Sequence, residues 1–173
     1  ELFPMMYFKD NNFYPFAIDW QEQSQGKIIV PGLGIYFMSP REKNWSLMDI
    51  TREMHVTRSL GMGHAYFRSK FFTDNLKGIY DAALNDIDRQ PALVPAMTWA
   101  NATKPQKPTL LAVKNDRIEW LKCNGLTYNI YSSKTWPVDI SRSENLMLSR
   151  QEIGSLPVPD DDSRYYAITA MDR

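Results

Sequence analysis

Three short apolar runs alternate with three longer helical patterns over the first hundred residues, and this alternation constrains the fold more than any other feature. The apolar runs occupy 2–8, 27–37 and 64–72. Strands that are apolar on both faces are typical of a parallel sheet covered by helices. The first part of the chain is therefore predicted to be α/β.

The helical pattern after the second run begins with a capping signal. Ser46 and Asp49 have the spacing of a capping box, and Leu47, Ile50 and Met54 then fall on one helical face. We predict a helix that starts directly after Ser46.

The third helical pattern is the strongest in the chain. Its apolar residues follow the i, i+3, i+4, i+7, i+8, i+11 spacing of an amphipathic helix, at Leu76, Ile79, Tyr80, Ala83, Leu84 and Ile87. Asp74 stands just before this pattern and is predicted to be its N-cap. Pro91 ends the helix at the latest.

The periodicity changes after the polar, proline-bearing stretch 101–108, which has the composition of a linker. Apolar residues now alternate with polar ones, as at Ile118 and Trp120 and again at Tyr128 and Ile130. This period of two, interrupted by turn signals, predicts a small antiparallel β-sandwich with Trp120 in its core. We place the domain boundary between 103 and 104, giving domains 1–103 and 104–173.

Charge and cysteine content exclude several classes of function. Twenty basic residues balance twenty acidic ones with no dense basic run, so no nucleic-acid partner is expected. No apolar run approaches the roughly 18 residues of a membrane span. Cys123 is alone, and His55 and His64 lack the spacing of metal ligands, so no metal is expected. The "GLG" at 32–34 is too short for a dinucleotide fingerprint, and no cofactor is expected.

Three stretches carry a resemblance to a known family. "AYFRSKFFTDNLKGIYDAAL", "QPALVPAMTW" and the final "YYAITAMDR" resemble the C-terminal part of the bacterial glycosyl hydrolase-like 10 family. The resemblance implies the last three βα units of a (β/α)8 barrel, followed by a fibronectin type III-like sandwich that needs one more strand. It also implies that earlier strands lie outside this sequence and that the protein is extracytoplasmic: periplasmic, cell-surface or secreted.

If the first part belongs to a barrel, its active site gathers at the carboxyl ends of the strands. The candidate substrate-binding residues there are Tyr7, Asp10, Tyr36 and Arg68, and the resemblance adds Trp99 near the same rim. Tyrosine and tryptophan rings can pack on sugars, and an arginine fork can donate to hydroxyl or carboxylate groups. The expected partner is an oligo- or polysaccharide, of bacterial or dietary origin.

The catalytic residues of such an enzyme are not identified in this chain. Most glycosidases use two carboxylates that face each other across the scissile bond. The strand-end loops offer Asp10, Glu42 and Asp74, but none lies in a motif that would oppose it to a second acid. We expect the catalytic pair upstream, and the chain alone to be inactive.

Two further expectations stay open at the level of sequence. The chain is either part of a glycoside hydrolase or a non-catalytic carbohydrate-binding or interaction module of the cell envelope.

Three strands cannot close a barrel, so the outer edges of the first and third strands would be open, and self-association through this part is expected.

Overall fold

The computed structural model describes residues 1–101, 103–109, 111–158 and 164–172. These residues form two compact units, Glu1–Arg89 and Gln90–Arg173. The boundary predicted between 103 and 104 therefore lies inside the second unit, and Trp99 belongs to that unit. None of the helices within the described ranges has the length and apolar character needed to cross a membrane.

The first unit contains a three-stranded parallel sheet in the order β1-β2-β3. The strands are β1 (Met5–Met6), β2 (Gly32–Leu33) and β3 (Ala65–Tyr66). The parallel order agrees with the alternation of strands and helices in the sequence. Whether these units belong to a barrel stays a prediction.

The strands are much shorter than the apolar runs that predict them. In the second run, residues after β2 enter a 3-10 turn (Ile35–Met38). In the third run, the chain leaves β3 and forms a short helix at Ser69–Thr73. The prediction of a strand through 64–72 is thus wrong beyond Tyr66. The apolar residues of this run that pack against the core, partly buried, come from the helix (Phe71 and Phe72) as well as from the strand (Tyr66), and periodicity over so few residues does not distinguish the two.

Four α-helices complete the first unit. They are α1 (Tyr14–Glu22), α2 (Leu47–Ser59), α3 (Ser69–Thr73) and α4 (Ile79–Ala82), and a π-helical turn (Ala83–Ile87) continues α4. The predicted capping box at the start of α2 is confirmed. The Asp49 backbone N–H donates to Ser46 Oγ at 3.2 Å, and the Ser46 backbone N–H donates to Asp49 Oδ2 at 2.8 Å.

The helix predicted from Leu76 begins later, and its N-cap is not Asp74. Lys77 and Gly78 have φ angles of 51° and 83°, which interrupt the helical backbone before α4. Asp74 instead ends α3. The side chain of Asn75 takes the capping role, because its Oδ1 accepts the backbone N–H of Tyr80 at 3.0 Å.

The second unit consists of two three-stranded antiparallel sheets, β4-β5-β8 and β7-β6-β9. The strands are β4 (Ala112–Lys114), β5 (Arg117–Glu119), β6 (Leu126–Ser133), β7 (Leu146–Gln151), β8 (Ser155–Pro157) and β9 (Tyr165–Asp172).

Side chains from both sheets of the second unit share one core. Ile118 and Trp120 meet Tyr128 and Ile130 there. Trp120 is 5% exposed, and its ring meets the Tyr128 ring edge-on at 5.7 Å. The predicted burial of Trp120 is therefore confirmed. The assignment to the fibronectin type III-like class stays a prediction.

Candidate functional site

Each of the three parallel strands is followed by an aromatic residue, and the three rings contact one another. Tyr7 follows β1, Tyr36 lies in the turn after β2, and Phe67 follows β3. The Tyr7 and Phe67 rings stack with centroids 5.2 Å apart, and the Tyr36 ring meets them edge-on at 5.9 and 5.7 Å. We call these residues the aromatic triad. Sequence analysis had identified Tyr7 and Tyr36 but had missed Phe67.

Two glycines of β2 and its flank allow Tyr7 to pack this closely. A Cβ atom on Gly32 would lie 3.3 Å from Tyr7 Cε1, and one on Gly34 would lie 3.2 Å from both Tyr7 Cβ and Phe37 Cδ2. Both distances are shorter than ordinary carbon contacts. The "GLG" stretch therefore makes room for the triad.

Substituting Gly34 by alanine should displace Tyr7 or Phe37. We expect Gly34→Ala to lower the free energy of unfolding by about 1–3 kcal/mol, as for other overpacked sites. Urea unfolding of the two proteins measures this loss, and intrinsic tyrosine and tryptophan fluorescence reports the altered packing. An unchanged unfolding midpoint would show that the backbone shifts to accommodate the added methyl group without a loss of stability.

The triad is partly open to solvent. The Phe67 side chain is 46% exposed, whereas Tyr7 and Tyr36 are half-buried. Burial, together with the neighbouring Tyr36, raises the pKa of the Tyr7 hydroxyl above its ordinary value. Tyr7 therefore stays a neutral hydroxyl at physiological pH, able both to donate and to accept a hydrogen bond.

Further aromatic and cationic groups extend from Tyr36. The Phe37 ring lies 4.1 Å from the Tyr36 ring and 4.9 Å from the ring of the buried Trp45. Lys43 Nζ stands 3.8 Å from the Phe37 centroid and Lys9 Nζ stands 5.8 Å from the Trp45 centroid. Ammonium groups at these positions interact favourably with the electron-rich ring faces.

Arg68 and Lys70, the two cations near the end of the third apolar run, have different surroundings. The exposed guanidinium of Arg68 lies 5.4 Å from the Phe71 ring, and it has no carboxylate partner in the part of the chain that the structure describes. Lys70 lies in α3 and donates to Asp74 Oδ2 at 2.6 Å. Arg68 is thus available to a ligand, whereas Lys70 is engaged in a local ion pair.

Asp10 and Trp99, the other two predicted residues, are not members of the aromatic triad. Asp10 begins a single 3-10 turn (Asp10–Asn12) after β1, is exposed, and stands 4.0 Å from Lys9 Nζ. Trp99 belongs to the second unit, where it is 39% exposed. The structure therefore brings together Tyr7 and Tyr36, with Arg68 directly after Phe67.

Glu53 is an acidic residue that sequence analysis had missed. It lies on α2, has no exposed surface, and neither carboxyl oxygen has a hydrogen-bond partner among the described residues. Burial raises its pKa to about 9; the carboxylates of Asp49 and then Asp10 contribute to the rise, and Lys9 opposes it. The Glu53 side chain is therefore protonated at neutral pH. A signal existed, because Glu53 stands between Ile50 and Met54 on the apolar face of its helix.

The acidic residues near the strand ends do not form the catalytic site of a hydrolase. A general acid needs both a raised pKa and contact with the bond that breaks. Glu53 has the raised pKa but is fully enclosed, whereas Asp10 and Glu42 are exposed on separate loops. The arrangement at the strand ends is suited to binding.

A second polar cluster lies around β3. The Tyr66 hydroxyl donates to Asp88 Oδ2 at 2.6 Å and lies 2.9 Å from His64 Nε2. Burial lowers the pKa of His64, although Asp88 opposes this effect. Across the described ranges, no group of three or more His, Cys, Asp or Glu side chains is arranged to hold a metal ion.

Comparison with curated proteins relates part of the chain to one named glycosyl hydrolase. Over 71 residues it is 35% identical to glycosyl hydrolase YngK of Bacillus subtilis strain 168. The match covers 40% of this chain and 14% of that protein. Neither a protein-family model nor a solved structure matches the chain. The similarity supports a glycosyl hydrolase-like relationship at this coarse level.

Proposed function

We propose that this chain is the C-terminal part of a glycoside hydrolase that acts on an oligo- or polysaccharide. The aromatic triad at the carboxyl ends of the parallel strands carries this proposal, and the partial similarity to a named glycosyl hydrolase supports it. In the proposal, the triad holds the sugar and the catalytic carboxylates come from residues that precede this sequence.

The chemistry of the triad and Arg68 suits a sugar ring. Pyranose rings have an apolar face of C–H groups that packs on aromatic rings, and hydroxyl groups that need hydrogen-bond partners. Phe67 offers an exposed ring, Tyr7 and Tyr36 add hydroxyl groups, and Arg68 adds N–H donors that no carboxylate among the described residues engages.

The architecture is compatible with a barrel followed by a sandwich. In (β/α)8 barrels the substrate lies at the carboxyl ends of the strands, which is where the triad lies in the first unit. Two antiparallel sheets with one shared core, as in the second unit, are the architecture of fibronectin type III domains. In the proposal, the three βα units are the last three of the barrel.

Oligosaccharide binding by matched phenylalanine variants tests the proposal. We expect Phe67→Ala to weaken binding of a cello-, malto- or chito-hexaose probe by about tenfold, which corresponds to about 1.4 kcal/mol. Phe16→Ala is the control, because Phe16 is 55% exposed on α1 and resembles Phe67 in size and exposure. Calorimetric titration of the whole chain measures both. Equal effects of the two substitutions would exclude the triad as the sugar platform.

A non-catalytic carbohydrate-binding module is the second candidate. One observation favours it: Glu53, whose pKa burial raises to about 9, has no exposed surface and so is not accessible to a bound sugar. Release of reducing ends by the longer protein that contains this chain would select the hydrolase. Binding without release would select the module.

A further inference from the structure

The second unit contains a groove of about 520 Å³ that the proposed function does not use. One wall consists of residues 93–98, 100–101 and 103–105, the last of which belong to the stretch 101–108 that is predicted to be a linker. The other wall belongs to the sheet β7-β6-β9. The polar groups in the lining come from Asn101, Lys104, Asn129, Arg150 and Asp172, together with two threonines.

Asn129 presents a fixed and incompletely used donor to this groove. The residue is only 5% exposed and lies on β6 between Tyr128 and Ile130, whose side chains fill the core on the other face of the sheet. Its Oδ1 accepts the Arg150 backbone N–H at 3.0 Å, which orients the amide. Within the described residues Nδ2 contacts only the Met171 sulfur, at 3.4 Å. A thioether is a weak acceptor, so one N–H of the amide is left over.

Arg150 brings a positive charge to the same groove. Its backbone has a φ of 55°, in the left-handed region that a non-glycine residue seldom adopts, and Asn129 holds it there. The pairing of β6 with β7 shifts register close to this point, at Tyr128 and Ile130. The Arg150 side chain is exposed and has no partner among the residues that the structure describes. A strained residue next to a groove is a common mark of a functional site.

The apolar part of the lining favours an aliphatic ligand over a sugar. Leu93, Val94 and Met97 are 40%, 45% and 37% exposed and form an aliphatic wall, and no aromatic ring belongs to the described lining. Such a wall suits an aliphatic side chain better than a pyranose ring, which prefers an aromatic face. Asp172 accepts from Asn101 Nδ2 through Oδ2 at 3.1 Å, which leaves Oδ1 for a ligand N–H.

We propose that this groove binds the free C-terminal carboxylate of a peptide whose last residue is aliphatic. The carboxylate lies between the Arg150 guanidinium and the spare N–H of Asn129, with Lys104 adding positive charge. The last side chain packs on the wall formed by Leu93, Val94 and Met97, and a peptide N–H reaches Asp172. This site is independent of the proposed function, because all of its residues belong to the second unit.

Titration of the whole 173-residue chain with two matched probes tests this proposal. The probes are N-acetyl-glycyl-valine with a free carboxylate and the same compound as a C-terminal amide. We expect the acid to bind at least about tenfold more tightly than the amide, because only the acid carries a negative charge that can pair with the Arg150 guanidinium. In NMR spectra recorded during the titration, the largest chemical-shift changes should occur at Asn129 and Arg150. If the unsubstituted chain binds the acid and the amide equally well, or binds neither, the proposal is overturned.

Two variants and a third probe complete the test. Arg150→Gln should abolish the preference for the acid. Arg117→Gln, which removes the same charge from β5 of the other sheet, should retain it. Retention of the preference in Arg150→Gln would overturn the proposal. Tighter binding of methyl glucuronide than of the peptide acid would also overturn it, since the site would then serve an acidic sugar.

Discussion

Glu53→Gln is expected to remove a large pH dependence from the stability of the first unit. The carboxyl group has a folded-state pKa of about 9, against an ordinary value of 4.5. Between these values the unfolded chain has lost a proton that the folded chain keeps. Stability should therefore be fully present below pH 4.5 and fall as pH rises towards 9, by about 1.4 kcal/mol per pH unit for this single proton.

The measurement is urea unfolding of the parent and the variant at several values between pH 5.5 and 8. Glutamine cannot titrate, so the difference in unfolding free energy between the two proteins should move steadily in favour of the variant as pH rises. Glu42→Gln serves as the control, because Glu42 is exposed and the substitution should leave the slope unchanged. If Glu53→Gln and its parent keep parallel pH profiles, Glu53 is not protonated in the folded protein.

Trp120→Ala is expected to destabilise the second unit by about 3–5 kcal/mol, the range for removing a large aromatic side chain from a core. Its ring is 5% exposed and packs against Tyr128. Nε1 of Trp120 is buried without a hydrogen-bond partner among the described residues. Trp120→Phe therefore gives up no protein hydrogen bond there and should lose clearly less stability than Trp120→Ala.

Chemical denaturation of the three proteins measures this series. Trp136→Ala is the control, since Trp136 is 71% exposed and surface substitutions usually change stability by less than about 0.5 kcal/mol. A Trp120→Ala midpoint as close to the parent as that of Trp136→Ala would contradict the assignment of Trp120 to the core.

Local patterns in the sequence predict the elements whose own residues determine them. The capping box of Ser46 and Asp49 starts α2 where predicted, and the alternation around Trp120 and Tyr128 correctly predicts a β-unit with these residues inside. In both cases the signal lies within a few neighbouring residues. The predicted start of the helix at Leu76 was wrong because Lys77 and Gly78 adopt positive φ angles, which an apolar periodicity does not reveal.

The candidate site could be predicted only in part, because it depends on contacts between distant segments. The strand-end position of Tyr7 and Tyr36 was visible in sequence, and their contact follows from the parallel order of the strands. Phe67 was not predicted to belong to the site, because it lies in an apolar run in which each aromatic residue could pack in the core. The groove around Asn129 was hidden for a related reason, since a polar residue that alternates with core residues is expected to face water.

We propose that the aromatic triad forms a sugar-binding surface. Its most direct test is NMR mapping on the isotopically labelled chain titrated with cello-, malto- and chito-hexaose. The proposal predicts that at least one of these oligosaccharides shifts the resonances of Tyr7, Tyr36, Phe67 and Arg68 together, in a saturable manner. Shifts confined to other residues, or no saturable shift with any of the three sugars, would contradict it.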